Sequence, residues 1–269
     1  MIRAALVGAT GRMGQAIITA AKDIPDIAIT GAVGSRASAH LGRDAGELAG
    51  SQHLGVAVTN DLRAVLGDAD VVIDFSKADA TEALLAACRE AKKPLLLGTT
   101  GHSPARRKTF EAAGCEIALL VAPNTSLGVT LLLELAYAAA AALPLDFDVE
   151  IIEAHHRTKP DAPSGTALAL GHAVARARAQ ELSDVAVVNH GRDAPRRSGD
   201  IGFAVVRAGD LIGEHTVLFA GPGEQLTLTH RATERAIFAR GALKAAAWLA
   251  AQPQGLYSMR DIFLSKTAS

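Results

Sequence analysis

The sequence predicts an α/β protein: a parallel sheet wrapped by helices, followed by a second, α+β domain with a mixed or antiparallel sheet. Three observations carry that expectation. Short aliphatic runs alternate with helix-like stretches through the first half of the chain, the pattern of repeated βα units. After Phe147 the alternation stops and the runs are mostly strand-like, which points to a separate domain. The composition is 49% hydrophobic but only 4% aromatic, so the core must be built from Ala, Val, Leu and Ile. Branched aliphatics suit parallel strands, and Ala-rich helices can cover them.

In the first half the aliphatic runs place strands at residues 2–7, 27–33, 56–59, 71–75, 94–98 and 117–122. Helical spacing falls between them at 15–22, 62–66, 80–91 and 104–113. Consecutive parallel strands need right-handed crossovers, and such sheets bind ligands at the carboxyl ends of their strands. Residues 127–143 read as a long Ala/Leu helix. Beyond it, strands are expected at 148–153, 185–189, 203–207, 216–220 and 226–229, with one helix at 166–178. A last Ala-rich helix spans 234–251 and can pack on either domain.

At 269 residues the chain can build two modest domains with sizeable cores. Its formal net charge is −1, from 27 basic and 28 acidic residues. Surfaces for nucleic acid or anionic membranes carry a strong basic excess, so neither partner is expected and a small molecule is. The first residues enter an apolar strand directly, and no signal peptide is expected. The apolar stretch 127–143 is short for a membrane span and contains Thr130, Glu134 and Tyr137. Cys88 and Cys115 read as reduced core residues of a cytoplasmic protein.

Gly8-Ala9-Thr10-Gly11-Arg12-Met13-Gly14 joins the first strand to the first helix. A tight turn there lets backbone N–H groups approach a pyrophosphate, and the helix adds its positive end. An NAD-preferring site carries an acid at the end of the second strand to bind the ribose diol. Here that place holds Gly34, followed by Ser35 and Arg36. Without a carboxylate to repel a 2′-phosphate, and with a hydroxyl and a guanidinium to bind it, NADPH is expected to be preferred over NADH. Asp74-Phe75-Ser76, Gly98-Thr99-Thr100-Gly101 and Ala122-Pro123-Asn124-Thr125-Ser126 follow three further strands. Small and polar residues at such ends can border the nicotinamide and its ribose, while Ser76 and Ser126 also suit helix caps.

The segment after Phe147 concentrates reactive groups. His155 and His156 end an apolar strand, and Lys159 follows in a turn led by Pro160 and Pro163. Imidazole passes protons near neutral pH, and a lysine can supply one or hold an oxyanion. Ser164-Gly165-Thr166 then opens a helix whose N-terminal N–H groups suit a carboxylate. Adjacent histidines on a strand face apart and cannot readily share one metal, so no metal is expected. One histidine is expected to be the acid and the other a ligand contact or a brace. Together with the glycine turn, this describes an enzyme that reduces a small dicarboxylate.

Glu150-x-x-Glu153-x-His155-x-x-x-Lys159-x-Asp161-x-Pro163-Ser164-Gly165-Thr166-Ala167 resembles the characteristic segment of the 4-hydroxy-tetrahydrodipicolinate (dihydrodipicolinate) reductase family. Asp44-Ala45-Gly46-Glu47-Leu48, Val72-Ile73-Asp74-Phe75-Ser76 and Gly98-Thr99-Thr100-Gly101 fit the same family. So do Arg207-Ala208-Gly209-Asp210-x-x-Gly213-Glu214-His215 and Met259-Arg260-Asp261-Ile262. The resemblance implies a Rossmann-type nucleotide domain of residues 1–126 and 236–269, with a substrate and oligomerisation domain at 127–235. It implies a homotetramer that reduces 4-hydroxy-tetrahydrodipicolinate to tetrahydrodipicolinate in lysine and diaminopimelate synthesis, using NADPH or NADH. It makes His155 the acid/base group and Lys159 a proton donor or charge stabiliser. His156, Lys159 and Ser164-Gly165-Thr166 would hold substrate carboxylates. Residues 8–13, 98–100 and 122–125 would bind the cofactor. Two positions depart from the family pattern: Gly34 replaces a frequent acid, and Thr125 stands where a bulkier residue is common.

Overall fold

Residues 1–191 and 195–264 are described by a computed structural model. They form two compact units, one of residues 1–126 with the chain from Ala236 onward, the other Leu127–Arg235.

The first unit opens with β1 (Ile2–Val7), α1 (Arg12–Ala21), β2 (Ile27–Val33), the short α2 (Ala45–Leu48), β3 (Val58–Thr59) and α3 (Leu62–Leu66). It continues through β4 (Val71–Asp74), α4 (Thr81–Glu90), β5 (Leu95–Leu97), α5 (Arg107–Gly114) and β6 (Ala118–Val121). The second unit holds α6 (Leu127–Ala142), β7 (Asp148–His155), α7 (Gly165–Ala177), α8 (Leu182–Val185), β8 (Ala186–Val188), β9 (Ile201–Arg207), β10 (Gly213–Gly221) and β11 (Glu224–Ala232). The chain then re-enters the first unit as α9 (Ala236–Leu249), β12 (Gly255–Tyr257) and α10 (Asp261–Leu264).

The first sheet is parallel throughout and runs β12-β6-β5-β4-β1-β2-β3. Its central strands β1, β4, β5 and β6 are buried along most of their length on both faces, which is why they read as aliphatic runs. Alternate residues Ala5, Val7, Val72, Leu95, Leu97 and Leu119 pack with Leu66 of α3, Leu84, Leu85 and Cys88 of α4, and Phe110 of α5. On the other face α9 lies on β4, β5 and β6 and against α1. Strand order reverses at β1 and β4, which places the crevice for a ligand beyond their carboxyl ends.

The second sheet is mixed, in the order β11-β10-β7-β9-β8. β7 runs antiparallel to β10 and parallel to β9. Val149, Ile151, Phe203, Val217 and Phe219 point to one face, where they pack with Leu132 and Ala136 of α6 and Leu170 and Val174 of α7.

Several expectations need correction. The run at 56–59 forms only the two-residue β3, because Ala57 bridges Asp44 instead of extending the sheet. The helix expected at 104–113 starts as a 3₁₀ turn over Pro104–Arg106. The run at 185–189 loses its first residue, Val185, to α8, leaving a three-residue β8. β12 was not anticipated: three residues are too few for a periodic signal, and its identity comes from pairing with β6. Cys88 is buried, but Cys115 is exposed at the end of α5 rather than in the core. Among the described residues, no helix is long and apolar enough to cross a membrane.

Candidate active site

In the first unit the anticipated cofactor residues gather at one end of the parallel sheet. Gly8 follows β1 with φ +83°, and its N–H donates to the Val33 carbonyl at 2.9 Å. A Cβ on Gly8 would strike the Phe75 carbonyl, and one on Gly14 would strike the Gly8 carbonyl and the Ala9 backbone. Both positions therefore require glycine for close packing of strand, turn and helix. Gly11 is the N-cap of α1 and no side chain caps that end. Thr10 and Met13 are half-buried, Ala9 is buried, and Gly11 and Arg12 are exposed.

Gly34 is buried just past β2, where a Cβ would lie 3.2 Å from both Thr10 Cγ2 and Val58 Cγ1. A side chain there would press on both methyl groups, which would have to give by a few tenths of an ångström. Ser35 and Arg36 are exposed on the loop that follows. The carboxylate on that loop, Asp44, is turned inward, accepting N–H groups of Gly46, Glu47, Leu54 and Val56 at 2.9–3.1 Å. Desolvation opposes its ionisation, but those donors hold its pKa down to about 2.

At the end of β4, Asp74 is fully buried. It accepts from Thr99 Oγ1 at 2.6 Å and from the Ser76 N–H at 3.0 Å. Burial pushes its carboxyl above the usual range, against the opposing pull of Ser76, Thr99 and His102. Gly98 sits on the Phe75 ring, which a Cβ would strike. Thr99 is buried and Thr100 exposed. Ala122 is buried and donates its N–H to the Leu97 carbonyl at 2.9 Å, while Pro123 is exposed. Asn124 Oδ1 accepts the Ser126 N–H at 2.9 Å, and Thr125 Oγ1 donates to the Phe238 carbonyl at 2.7 Å. The Thr125 hydroxyl is thus engaged inside the unit.

In the second unit a charged cluster is built on the covered face of the sheet. Glu153 and His155 are two residues apart on β7 and share that face. Parallel register sets Arg207 of β9 opposite His155, and antiparallel register sets His215 of β10 opposite Glu153. Glu153 is fully buried and accepts from Arg207 Nη1 at 2.8 Å and Nη2 at 2.7 Å, a bidentate pair. It also accepts from the Ser164 N–H at 3.0 Å and lies 2.5 Å from His155 Nδ1. Burial works to raise the Glu153 pKa, but these donors outweigh it and hold the carboxyl below its usual range.

His155 is buried, and desolvation lowers its pKa, with Lys159 and Arg207 adding to the effect and Glu153 opposing it. Its ring meets that of His215 edge-on, centroids 5.0 Å apart at 71°. His215 Nε2 lies 3.1 Å from Ser164 Oγ, and burial, reinforced by His155, pushes its pKa down to about 4. Ser164 caps α7, accepting the Ala167 N–H at 3.2 Å. Gly165 is exposed and Thr166 half-buried in the first turn. Lys159 Nζ donates to Asp161 Oδ2 at 2.8 Å, and His156 Nδ1 lies 2.8 Å from Thr158 Oγ1.

The structure therefore brings together His155, Ser164 and the Lys159 turn, and gives His156 separate surroundings from its neighbour. Among the described residues no group of His, Cys, Asp or Glu is arranged to hold a metal ion. Sequence reasoning placed Glu153, Arg207 and His215 in family-like segments but gave them no role, and it did not foresee the burial of Asp74. The Glu153-x-His155 spacing could have signalled a pair on one strand face. Arg207 and His215 join only through strand register, which the sequence does not display.

Models of the dihydrodipicolinate reductase N-terminus and C-terminus match residues 2–125 and 128–263. The chain is 50% identical over 261 residues to the 4-hydroxy-tetrahydrodipicolinate reductase of Alkalilimnicola ehrlichii, covering 97% of this chain and 98% of that one. Against the enzyme of the same name from Halorhodospira halophila it is 48% identical over 258 residues, covering 96% and 97%. Among solved structures, a dipicolinate-bound dihydrodipicolinate reductase from Paenisporosarcina sp. TG-14 superimposes with a TM-score of 0.78 at 25% identity, covering 97% and 99%. An amine dehydrogenase from Mycobacterium smegmatis, 16% identical with a TM-score of 0.61 and covering 96% and 95%, shares the fold alone.

Proposed function

Because this chain belongs to the dihydrodipicolinate reductase family, we propose that it reduces 4-hydroxy-tetrahydrodipicolinate to tetrahydrodipicolinate with NAD(P)H and loss of water, in lysine and diaminopimelate biosynthesis. The observation that carries the chemistry is the His155, Glu153 and Arg207 cluster beside the Ser164 cap. The substrate is a dicarboxylate, like the dipicolinate bound by the Paenisporosarcina relative. Its carboxylates fit a helix N-terminus, a lysine and a histidine on one turn, namely Ser164, Gly165 and Thr166 with Lys159 and His156.

Each turnover removes water and adds a hydride and a proton. Nδ1 of His155 is engaged by Glu153, so Nε2 is the nitrogen left to exchange a proton with the substrate. Burial lowers the pKa of the imidazole, against the pull of Glu153, and an arriving dianion favours its protonated form. Lys159 supports that charge. Its present pair with Asp161 is half-exposed on the carboxylate side, a weak interaction that a substrate carboxylate can replace.

The first unit fits a dinucleotide. Gly8 and Gly14 leave a turn that a Cβ would fill, and no side chain caps α1. Residues 8–13 would hold the pyrophosphate. The turns of Gly98, Thr99 and Thr100 and of Ala122, Pro123, Asn124 and Thr125 would border the nicotinamide. The nicotinamide, when bound, supplies the hydride. Gly34 with Ser35 and Arg36 favours NADPH over NADH, since the loop turns its one carboxylate, Asp44, inward. A cytoplasmic homotetramer completes the reading. The uncovered face of the second sheet presents Ile152 and Val206 to solvent on adjacent strands, an apolar patch suited to a subunit interface.

Turnover with freshly generated 4-hydroxy-tetrahydrodipicolinate, measured with NADPH and NADH side by side, tests the proposal. Substrate-dependent oxidation of both is expected, with the lower KM for NADPH. Replacing Arg36 by Ala should raise the KM for NADPH alone. No substrate-dependent oxidation would refute the function, and equal effects of Arg36→Ala on both cofactors would refute the preference.

A further inference from the structure

The carboxylate of Glu153 is held by donors from three parts of the site. His155 handles the proton, Ser164 caps the turn that holds a carboxylate, and Arg207 binds Glu153 through both Nη atoms. Arg207 also donates to the Asp161 carbonyl at 2.5 Å, inside the turn that carries Lys159. One buried acid thus ties together every element that the proposed reaction uses in this unit.

We propose that Glu153 is a positioning residue for the reduction: it holds the His155 ring by Nδ1 so that Nε2 faces the substrate, and it sets that nitrogen against the Ser164 turn. The inference rests on the reading of His155 as the proton-handling group. A carboxylate that fixes one imidazole nitrogen determines both the tautomer and the direction of the other. The neighbouring strand leaves space beside Nε2 because residue 213 is glycine. A Cβ on Gly213 would come within 3.0 Å of Nε2 and 3.3 Å of Cδ2. Gly213 has no positive φ, so its backbone does not demand glycine; the space beside the imidazole does.

The charged groups around the ring favour the same role. Lys159 and Arg207 are cationic and His215 meets the ring edge-on, with His230 and Lys159 acting on His215 and His215 acting on Glu214 in turn. Asp161 is occupied by Lys159. Glu153 is the group that draws His155 back towards its protonated form against burial and the two cations.

Glu153→Gln, Gly213→Ala and His155→Ala, each in the full chain, test this with substrate generated in the assay. The amide of Gln faces donors on every side and carries no charge. Glu153→Gln should lower kcat by on the order of 10²–10⁴. The limb of its pH profile that reports loss of the catalytic proton should move to lower pH, while NADPH binding is retained. Gly213→Ala should lower kcat with no such shift, because it crowds Nε2 and leaves Glu153 in place. A folded Glu153→Gln variant with kcat within about threefold of the parent and an unmoved profile would overturn the inference. If Glu153→Gln does not fold, Gly213→Ala decides: unchanged kcat overturns the placement of Nε2, and reduced kcat at unchanged Tm supports it. Full activity in His155→Ala would instead remove the underlying role of His155.

Discussion

Asp74 in the first unit and Glu153 in the second are both carboxylic acids with no exposed surface, yet their surroundings drive them in opposite directions. Around Asp74 the donors in contact are neutral, the Thr99 hydroxyl and the Ser76 N–H, and burial prevails, so its pKa rises. Around Glu153 a bidentate guanidinium, an imidazole and the Ser164 N–H outweigh its desolvation, and its pKa falls. Depth of burial therefore does not set the charge of an acid; the charge of its donors does. The first unit uses its acid as a brace behind the Gly98–Gly101 turn. The second holds a carboxylate in its core with a guanidinium and an imidazole around it.

Removing Arg207 should convert the second situation into the first, with the largest effect on stability. Arg207→Leu leaves Glu153 buried without its main counter-charge, a change that costs about 3–5 kcal/mol in comparable sites. The pH dependence fixes the interpretation. In the parent, Glu153 has a lowered folded pKa, so its contribution is present above the unfolded value and is lost as pH falls through the folded one. In Arg207→Leu burial dominates and the folded pKa rises, so stability is lost as pH increases. Urea unfolding followed by circular dichroism should show a deficit relative to the parent that grows with pH. A deficit independent of pH would mean that Arg207 contributes packing rather than charge.

His215 shows the same burial acting on a base, with an intermediate effect. Its folded pKa of about 4 lies below the ordinary histidine value of 6.5. Between those values the unfolded chain carries a proton that the folded protein refuses, so stability is complete above the upper value and declines towards the lower. The loss should reach about 3 kcal/mol at pH 4. His215→Gln, unfolded in parallel across this range, should show a flatter acid limb. An unchanged limb would assign the acid sensitivity to other groups.

Much of this arrangement was legible in the sequence, in proportion to how local its physics is. β1, β2 and β4 announced themselves because strands buried on both faces are continuous aliphatic runs. The glycine turn and the Ser164 cap were readable because a turn and a cap depend on adjacent residues. Gly34 was legible as a missing acid, but its cause was not: Thr10 and Val58 occupy the space from other segments. β12 is identified by its partner, since three residues carry no period. Arg207 and His215 reach Glu153 across 54 and 62 positions of sequence through register on both sides of β7. That information belongs to the pairing of strands and to no segment alone.

The smallest predicted effect is the most discriminating for the comparison. Asp74→Asn preserves the size of the side chain and can satisfy both neighbours: its carbonyl accepts the Ser76 N–H, and its amide donates to Thr99 Oγ1, whose hydroxyl can turn. Glu153 allows no such exchange with Gln, because Arg207 and the Ser164 N–H are obligate donors. For Asp74 the raised folded pKa means that its contribution is complete below the unfolded value and is lost as pH rises through the folded one. The amide has no charge to lose. Asp74→Asn should therefore unfold within about 1 kcal/mol of the parent at low pH and be equal or slightly more stable near neutrality. A loss comparable to that of Arg207→Leu would show that Asp74 is held as an anion, and the contrast between the two buried acids would fail.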